Sequence, residues 1–182
     1  AITLSDVAQA HLARGNGDAT AEYLLATLNH GTPLYTWCEE RGQEPGTNKI
    51  SGDRQHLYTP VALLGLVRDA LVMERGDGLE LALGSARSWL ASGEPLGVER
   101  APTHFGQLSY RLTLAPDHSR LVGYVHWPSS PAWGRLHVRL PAGWRLTGLG
   151  PRMTATLQDD RVLYWREPRG RMELEIAVQP PA

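Results

Sequence analysis

Two regimes of hydrophobic spacing divide the chain. Up to about residue 92 apolar positions recur every three or four residues, the period of a helix face. Val7, Ala8, Ala10 and Leu12 form a first stripe, with Ser5 or Asp6 placed to cap it and Gly15-Asn16-Gly17 to stop it. Ala21, Leu24, Leu25 and Leu28 form a second, opened by Asp18 and closed by His30-Gly31-Thr32-Pro33. Two short helices joined by a Gly-Asn-Gly turn predict an αα-hairpin. A third helix is expected from Thr59, its cap, with Pro60 in the first turn where a missing N–H costs least. From Val61 to Val72 it is apolar on more than one face, which predicts enclosure by several neighbours. Gly76-Asp77-Gly78 breaks it, residues 79–83 alternate like a short strand, and Ser85 can cap a brief helix through Trp89-Leu90.

Beyond residue 93 the period changes to two. Residues 107–114, 121–127, 135–140, 145–149, 161–165 and 172–178 are short, mostly alternating runs separated by Pro, Gly, Asp and Ser. Strands at that spacing predict an antiparallel sandwich. The expected fold class is α+β, with a helical segment over 1–92 and an antiparallel β-sandwich over 93–182. Between the second and third helices, residues 32–55 are irregular, with glycines at 31, 42, 46 and 52 and prolines at 33 and 45. A loop of that length in a compact fold is often functional.

Composition removes several function classes. Eighteen Lys and Arg against 19 Asp and Glu give a net charge of −1, so no basic excess points to nucleic acid or to an anionic membrane surface. No apolar run reaches the roughly 18 residues of a membrane-spanning helix. The single cysteine, Cys38, cannot form an intrachain disulfide framework or a zinc-binding thiolate cluster. The seven histidines show no ligand-like spacing, so neither metal nor cofactor is expected.

The chemistry-bearing residues gather in the long loop. Glu39 and Glu40 are adjacent, so in extended backbone they point to opposite sides, and Glu39 shares a side with Trp37. A carboxylate beside an indole is the pairing that sugar hydrolysis uses, the ring supporting the pyranose and the carboxylate handling a proton or a water. Asp53, His56 and Tyr58 are candidates for contacts to sugar hydroxyls. The structural alternatives are a packing tryptophan with solvated loop charges, and an Asp53 that caps a turn. Trp127, Trp133, Trp144 and Trp165, in or between the predicted strands, offer either a sugar-stacking platform or core packing.

The stretches Ala21-Glu22-Tyr23-Leu24, Leu28-Asn29-His30, Trp37-Cys38-Glu39-Glu40, Ser51-Gly52-Asp53-Arg54-Gln55-His56, Val67-Arg68-Asp69-Ala70-Leu71-Val72-Met73-Glu74, Trp89-Leu90 and Ala101-Pro102-Thr103-His104-Phe105-Gly106 occur in that order. Together they resemble the end of the catalytic domain of bacterial six-hairpin (α/α) toroid glycosidase-like proteins, the group containing glucoamylases, trehalases and rhamnosidases. The resemblance covers roughly half the chain. It implies a last part of a helical toroid followed by a strand-rich C-terminal domain. It further implies a general base for inverting glycoside hydrolysis at Glu39, with Glu40 as second choice, and a proton-donating acid on an earlier hairpin. A toroid needs about a dozen helices, so the helical part is expected to meet a missing N-terminal region, a partner chain or a second copy, and the chain alone to be inactive. The alternative expectation is a non-catalytic β-sandwich module that binds glycan or a protein partner.

Overall fold

The computed structural model describes residues 2–41 and 49–181; residues 42–48 of the long loop lie outside it. Helices α1 (Ile2–Ala13), α2 (Gly17–Asn29) and α3 (Tyr58–Leu71) come first, with two short paired strands, β1 (Glu40–Arg41) and β2 (Ile50–Ser51), between α2 and α3. A hairpin of β3 (Val72–Arg75) and β4 (Gly78–Leu81) follows, then the short α4 (Arg87–Ala91). The remaining strands are β5 (Leu96–Thr103), β6 (Gly106–Leu114), β7 (Arg120–Trp127), β8 (Trp133–His137), β9 (Arg145–Leu149), β10 (Thr156–Gln158), β11 (Val162–Arg166) and β12 (Gly170–Gln179).

These strands build two five-stranded sheets, one in the order β5-β6-β7-β12-β9 and one in the order β10-β11-β8-β4-β3. The fold class is α+β with a β-sandwich. Leu108, Tyr110, Leu112, Leu121, Val125 and Ile176 from the first sheet meet Leu79, Leu81, Leu136, Leu163 and Trp165 from the second in one buried core. Trp127 and Trp165 sit inside it, ring centroids 5.4 Å apart at 60°, in the tilted geometry aromatic pairs prefer. Their place is core packing, as period-two alternation at a sheet interface requires.

The second sheet departs from an all-antiparallel expectation. Its strand β4 pairs parallel with β8, Leu79 opposite Gly134 and Leu81 opposite Leu136. Residues 72–81 therefore belong to the same sheet as strands from beyond residue 130. The helix expected to run through Val72 to the break at Gly76 ends at Leu71, and Val72 opens β3 in extended backbone. β-Branched Val72 favours that state, and Gly76, at φ +61, makes the tight turn into β4. β5 carries no clean alternation because its register shifts between Val98 and Ala101, with Arg100 at φ +54, and because Pro102 sits on this edge strand.

Helix caps also differ from the sequence reading. Asn16, not Asp18, caps α2 by accepting the Ala19 N–H, and Asp18 instead binds Arg87 at the start of α4. Helix α3 begins one residue before Thr59, whose hydroxyl is buried without a hydrogen-bond partner. Ser5 lies within α1 rather than ahead of it, and Ser85 donates to the Ala82 carbonyl at 2.8 Å instead of capping α4. The helices share a second core of Ala8, Leu12, Leu24, Trp37, Leu63, Leu66, Ala70 and Leu83. No helix among the described residues is long and apolar enough to cross a membrane.

Candidate functional site

Residues 37–41 run antiparallel to residues 50–56, and the backbone pairing explains which side chains meet. The Glu39 N–H donates to the Asp53 carbonyl at 2.8 Å, and the His56 N–H to the Trp37 carbonyl at 2.9 Å. Beyond them Glu40 pairs with Ser51 and Arg41 with Ile50. Glu39, Asp53 and His56 are therefore neighbours across an antiparallel ribbon although up to 17 positions separate them. His56 lies against Tyr58, ring centroids 6.4 Å apart, and its Nδ1 accepts the Tyr58 N–H at 3.4 Å.

The carboxylates are exposed and held by their own ribbon. Glu39 Oε2 accepts the Asp53 N–H at 3.1 Å, and its side chain lies over Gly52, where a Cβ would come within 2.1 Å of that oxygen. Gly52 also has φ +70, so both the bend and the close approach require glycine there. Glu40 Oε2 accepts the Ser51 hydroxyl. Asp53 Oδ1 accepts the Gln55 N–H at 2.9 Å, the turn-capping bond weighed as its structural alternative.

Trp37 takes a different place from the one a sugar-stacking role needs. It is 4% exposed, packs among Leu24, Leu63 and Leu66, and donates its indole N–H to the Thr27 carbonyl at 2.9 Å. Its ring lies at van der Waals range of Gly31, whose added Cβ would meet it at 3.0 Å. The indole thus anchors the ribbon to the helical core while Glu39, two residues on, is left in solvent. Of the tryptophans in the sandwich, Trp133 has its ring over Gly78 and the Arg135 guanidinium 5.0 Å from its centroid, so it offers no open stacking face.

What surrounds the ribbon is apolar and uncovered. Leu34 is 82% exposed, Tyr35 79%, Leu57 74%, Val61 66% and Leu64 72%. On α3 the buried positions are Leu63, Leu66 and Ala70, whereas Val61, Leu64 and Val67 repeat at helical spacing on another side. Helix α2 adds Leu25 and Leu28. The expectation that α3 is enclosed all round is met on one face only. A soluble chain rarely leaves so many large apolar side chains together in water unless they meet a partner.

Two polar clusters escaped the sequence reading. In the first, Glu74 of β3 binds Arg68 of α3 at 2.5 Å and His104 of the β5–β6 turn, while Arg68 also donates to the Pro102 carbonyl at 3.2 Å. Burial works to raise the Glu74 pKa, but the bonds from His104 and Arg68 hold it below the ordinary value. The end of α3 with β3 and the β5–β6 turn are thereby joined.

In the second cluster Glu80, 2% exposed in β4, accepts from His137 Nε2 at 2.6 Å and Arg135 Nη1 at 3.1 Å, both on β8. Here too desolvation is outweighed by the partners, and the pKa is lowered. With both carboxylate oxygens bonded and almost no exposed surface, Glu80 fastens two strands rather than meeting a substrate. Its signal in the sequence is only half visible. Arg135 and His137 share a face at period two, but the parallel pairing that brings Glu80 to them is not local. Among the described residues no group of three or more His, Cys, Asp or Glu is placed to hold a metal ion. No family model, curated protein or solved structure matches the chain.

Proposed function

We propose that this chain is the C-terminal segment of a carbohydrate-active, glycoside hydrolase-like protein, in which α1–α3 close a helical toroid and the ribbon of residues 37–41 and 50–58 forms part of its sugar cleft. The observation that carries this reading is the uncovered apolar surface of residues 34–35, 57, 61 and 64 around an exposed carboxylate ribbon. Helical hairpins of the same protein, each with an apolar face to bury, are the occupant that suits α3, because helices pack by interdigitating side chains at this spacing. Covering the apolar face would place Glu39 at the boundary between the two bodies. There it would serve as general base, activating water against the anomeric carbon, with Glu40 as the second choice. Asp53, His56 and Tyr58 stand beside it for hydroxyl contacts, and Trp37 supports the ribbon from below.

The test compares the chain with the product of its complete reading frame on a panel of aryl glycosides and oligosaccharides. The chain alone should give no turnover, because the proton-donating acid comes from the docked hairpins. In the complete product Glu39→Gln should leave sugar binding intact and lower turnover by about 10²–10⁴-fold, the usual size of a general-base contribution. Turnover by the chain alone, or near-normal turnover by the Gln variant, would overturn the assignment.

A further inference from the structure

On the side of the sandwich that meets the start of α2 lies an open cleft of about 730 Å³. Its charged lining comes from Asp18, Arg87, Arg139, Arg145, Asp160 and Arg161, residues drawn from four separate parts of the chain. Asp18 is committed to Arg87, accepting from its Nε at 2.5 Å and from its backbone N–H at 2.9 Å. Arg139 is fixed by the carbonyls of Gly15 and Leu83, which clamp its guanidinium to the α1–α2 turn. The side chains of Arg145 and Arg161 have neither a hydrogen bond nor an ion pair among the described residues. Three arginines therefore share the cleft with one uncommitted aspartate, in a chain whose net charge is −1.

The charge is felt within the site. Burial lowers the Arg139 pKa, Asp18 opposes the shift, and the neighbouring charges of Arg161 and Arg87 add to it. Like charges gathered in a concave wall repel one another and focus a positive potential outward, an arrangement that an anion relieves. The planar guanidinium fork matches the two oxygens of a carboxylate or phosphate.

We propose that this cleft binds a small molecule bearing an oxyanion, with Arg145 and Arg161 as its direct ligands and Arg139 as a fixed charge behind them. The half-buried indole of Trp144, tilted against His118 with ring centroids 5.8 Å apart, lines the same wall and sets an apolar patch beside the arginines, where the carbon frame of an anionic ligand can rest. A phosphate ester and an acidic sugar share that chemistry. The site lies apart from the Glu39 ribbon, and the inference does not depend on the reading of that ribbon.

Calorimetric titration of the full chain with pyrophosphate, glucuronate and glucose tests it, first at low salt and then at about 0.5 M NaCl, where exposed charges are screened within a few ångströms. One anion should bind with unit stoichiometry and weaken in salt, and glucose should not bind; the tighter of pyrophosphate and glucuronate identifies the headgroup. Arg145→Gln and Arg161→Gln should each weaken binding about tenfold, the loss expected for one charge-assisted hydrogen bond. Arg152→Gln, an exposed arginine outside the cleft, should change nothing. The proposal is overturned if neither anion binds at millimolar concentration, if both cleft variants keep native circular dichroism and wild-type affinity, or if Arg152→Gln weakens binding as much as they do.

Discussion

Replacing Glu80 should reveal how strongly the two halves of the chain are fastened. Its carboxylate is almost completely buried, with His137 at 2.6 Å and Arg135 at 3.1 Å. Arg135 has a buried Nε without a partner and leans on Trp133 and Tyr164, although its side chain is 38% exposed and its guanidinium tip stays partly hydrated. Glu80→Ala removes both bonds, but water can take over part of the half-exposed Arg135 charge, so the loss is about 3 kcal/mol, the low end for breaking a buried pair. Glu80→Gln keeps the shape and one acceptor oxygen but loses the charge, a loss of about 2 kcal/mol. Urea unfolding at neutral pH, followed by tryptophan fluorescence, measures both as a fall in midpoint at constant slope. The pH dependence gives an independent check. Because the folded-state pKa lies below the unfolded one, the stabilisation is fully present above the ordinary carboxylate pKa of about 4.3 and is lost as the pH falls through the folded value. The difference in stability between wild type and Glu80→Gln should therefore shrink on acidification. Losses under about 0.5 kcal/mol for both variants, or a difference that stays constant down to acid unfolding, would refute the view of Glu80 as a buried fastener.

Three further outcomes are expected. Trp37→Ala should lower stability by about 3–5 kcal/mol in denaturant titration, the cost of emptying a core aromatic site, whereas a ring serving only as a sugar platform would leave stability unchanged. Gly17→Ala should destabilise by about 2 kcal/mol or more, since its methyl would sit 2.0 Å from the Ser85 carbonyl oxygen and 2.8 Å from Arg139 Nε; a melting temperature equal to wild type would show that the α1–α2 turn can shift. Val61→Glu combined with Leu64→Glu should change the chain's own stability by no more than about 0.5 kcal/mol per site while lowering the binding of an apolar dye that the wild-type stripe is expected to show, as read by fluorescence at micromolar concentration.

The sequence carried the sandwich where alternation was undisturbed. Residues 107–114, 121–127 and 172–178 became β6, β7 and β12 within a residue or two, because every second side chain there enters one core. It failed where two rules met in one stretch. Val72-Met73 continues the apolar run of α3 yet belongs to a strand, and nothing local distinguishes the last helical residue from the first extended one. The parallel pairing of β4 with β8 joins residues more than 50 positions apart and depends on what the helices leave open. The caps of α2 and α3 were misplaced by a residue or two for a related reason. Asp18 is a good cap by type, but Arg87 offers it a charged partner that only the tertiary fold supplies.

The loop chemistry was partly legible in the same sense. Glu39, Asp53 and His56 stand together because one antiparallel ribbon brings them there, but the indole that suggested a sugar site faces the core. The sequence could not assign that face, since alternation fixes sides only relative to each other. The mismatch at α3 says more. Its apolar residues predict enclosure, yet Val61, Leu64 and Val67 face water while Leu63, Leu66 and Ala70 are covered. Sequence records burial in the assembly in which the protein works, and the structure records burial within this chain. Where the two disagree along one helical stripe, the difference marks the surface on which a covering partner is proposed. The stripe begins beside the carboxylate ribbon, at Leu57, so whatever covers α3 also comes to lie against Glu39 and Asp53. A second body covering α3 as proposed would stand opposite those carboxylates, which is the arrangement that the proposed sugar cleft needs.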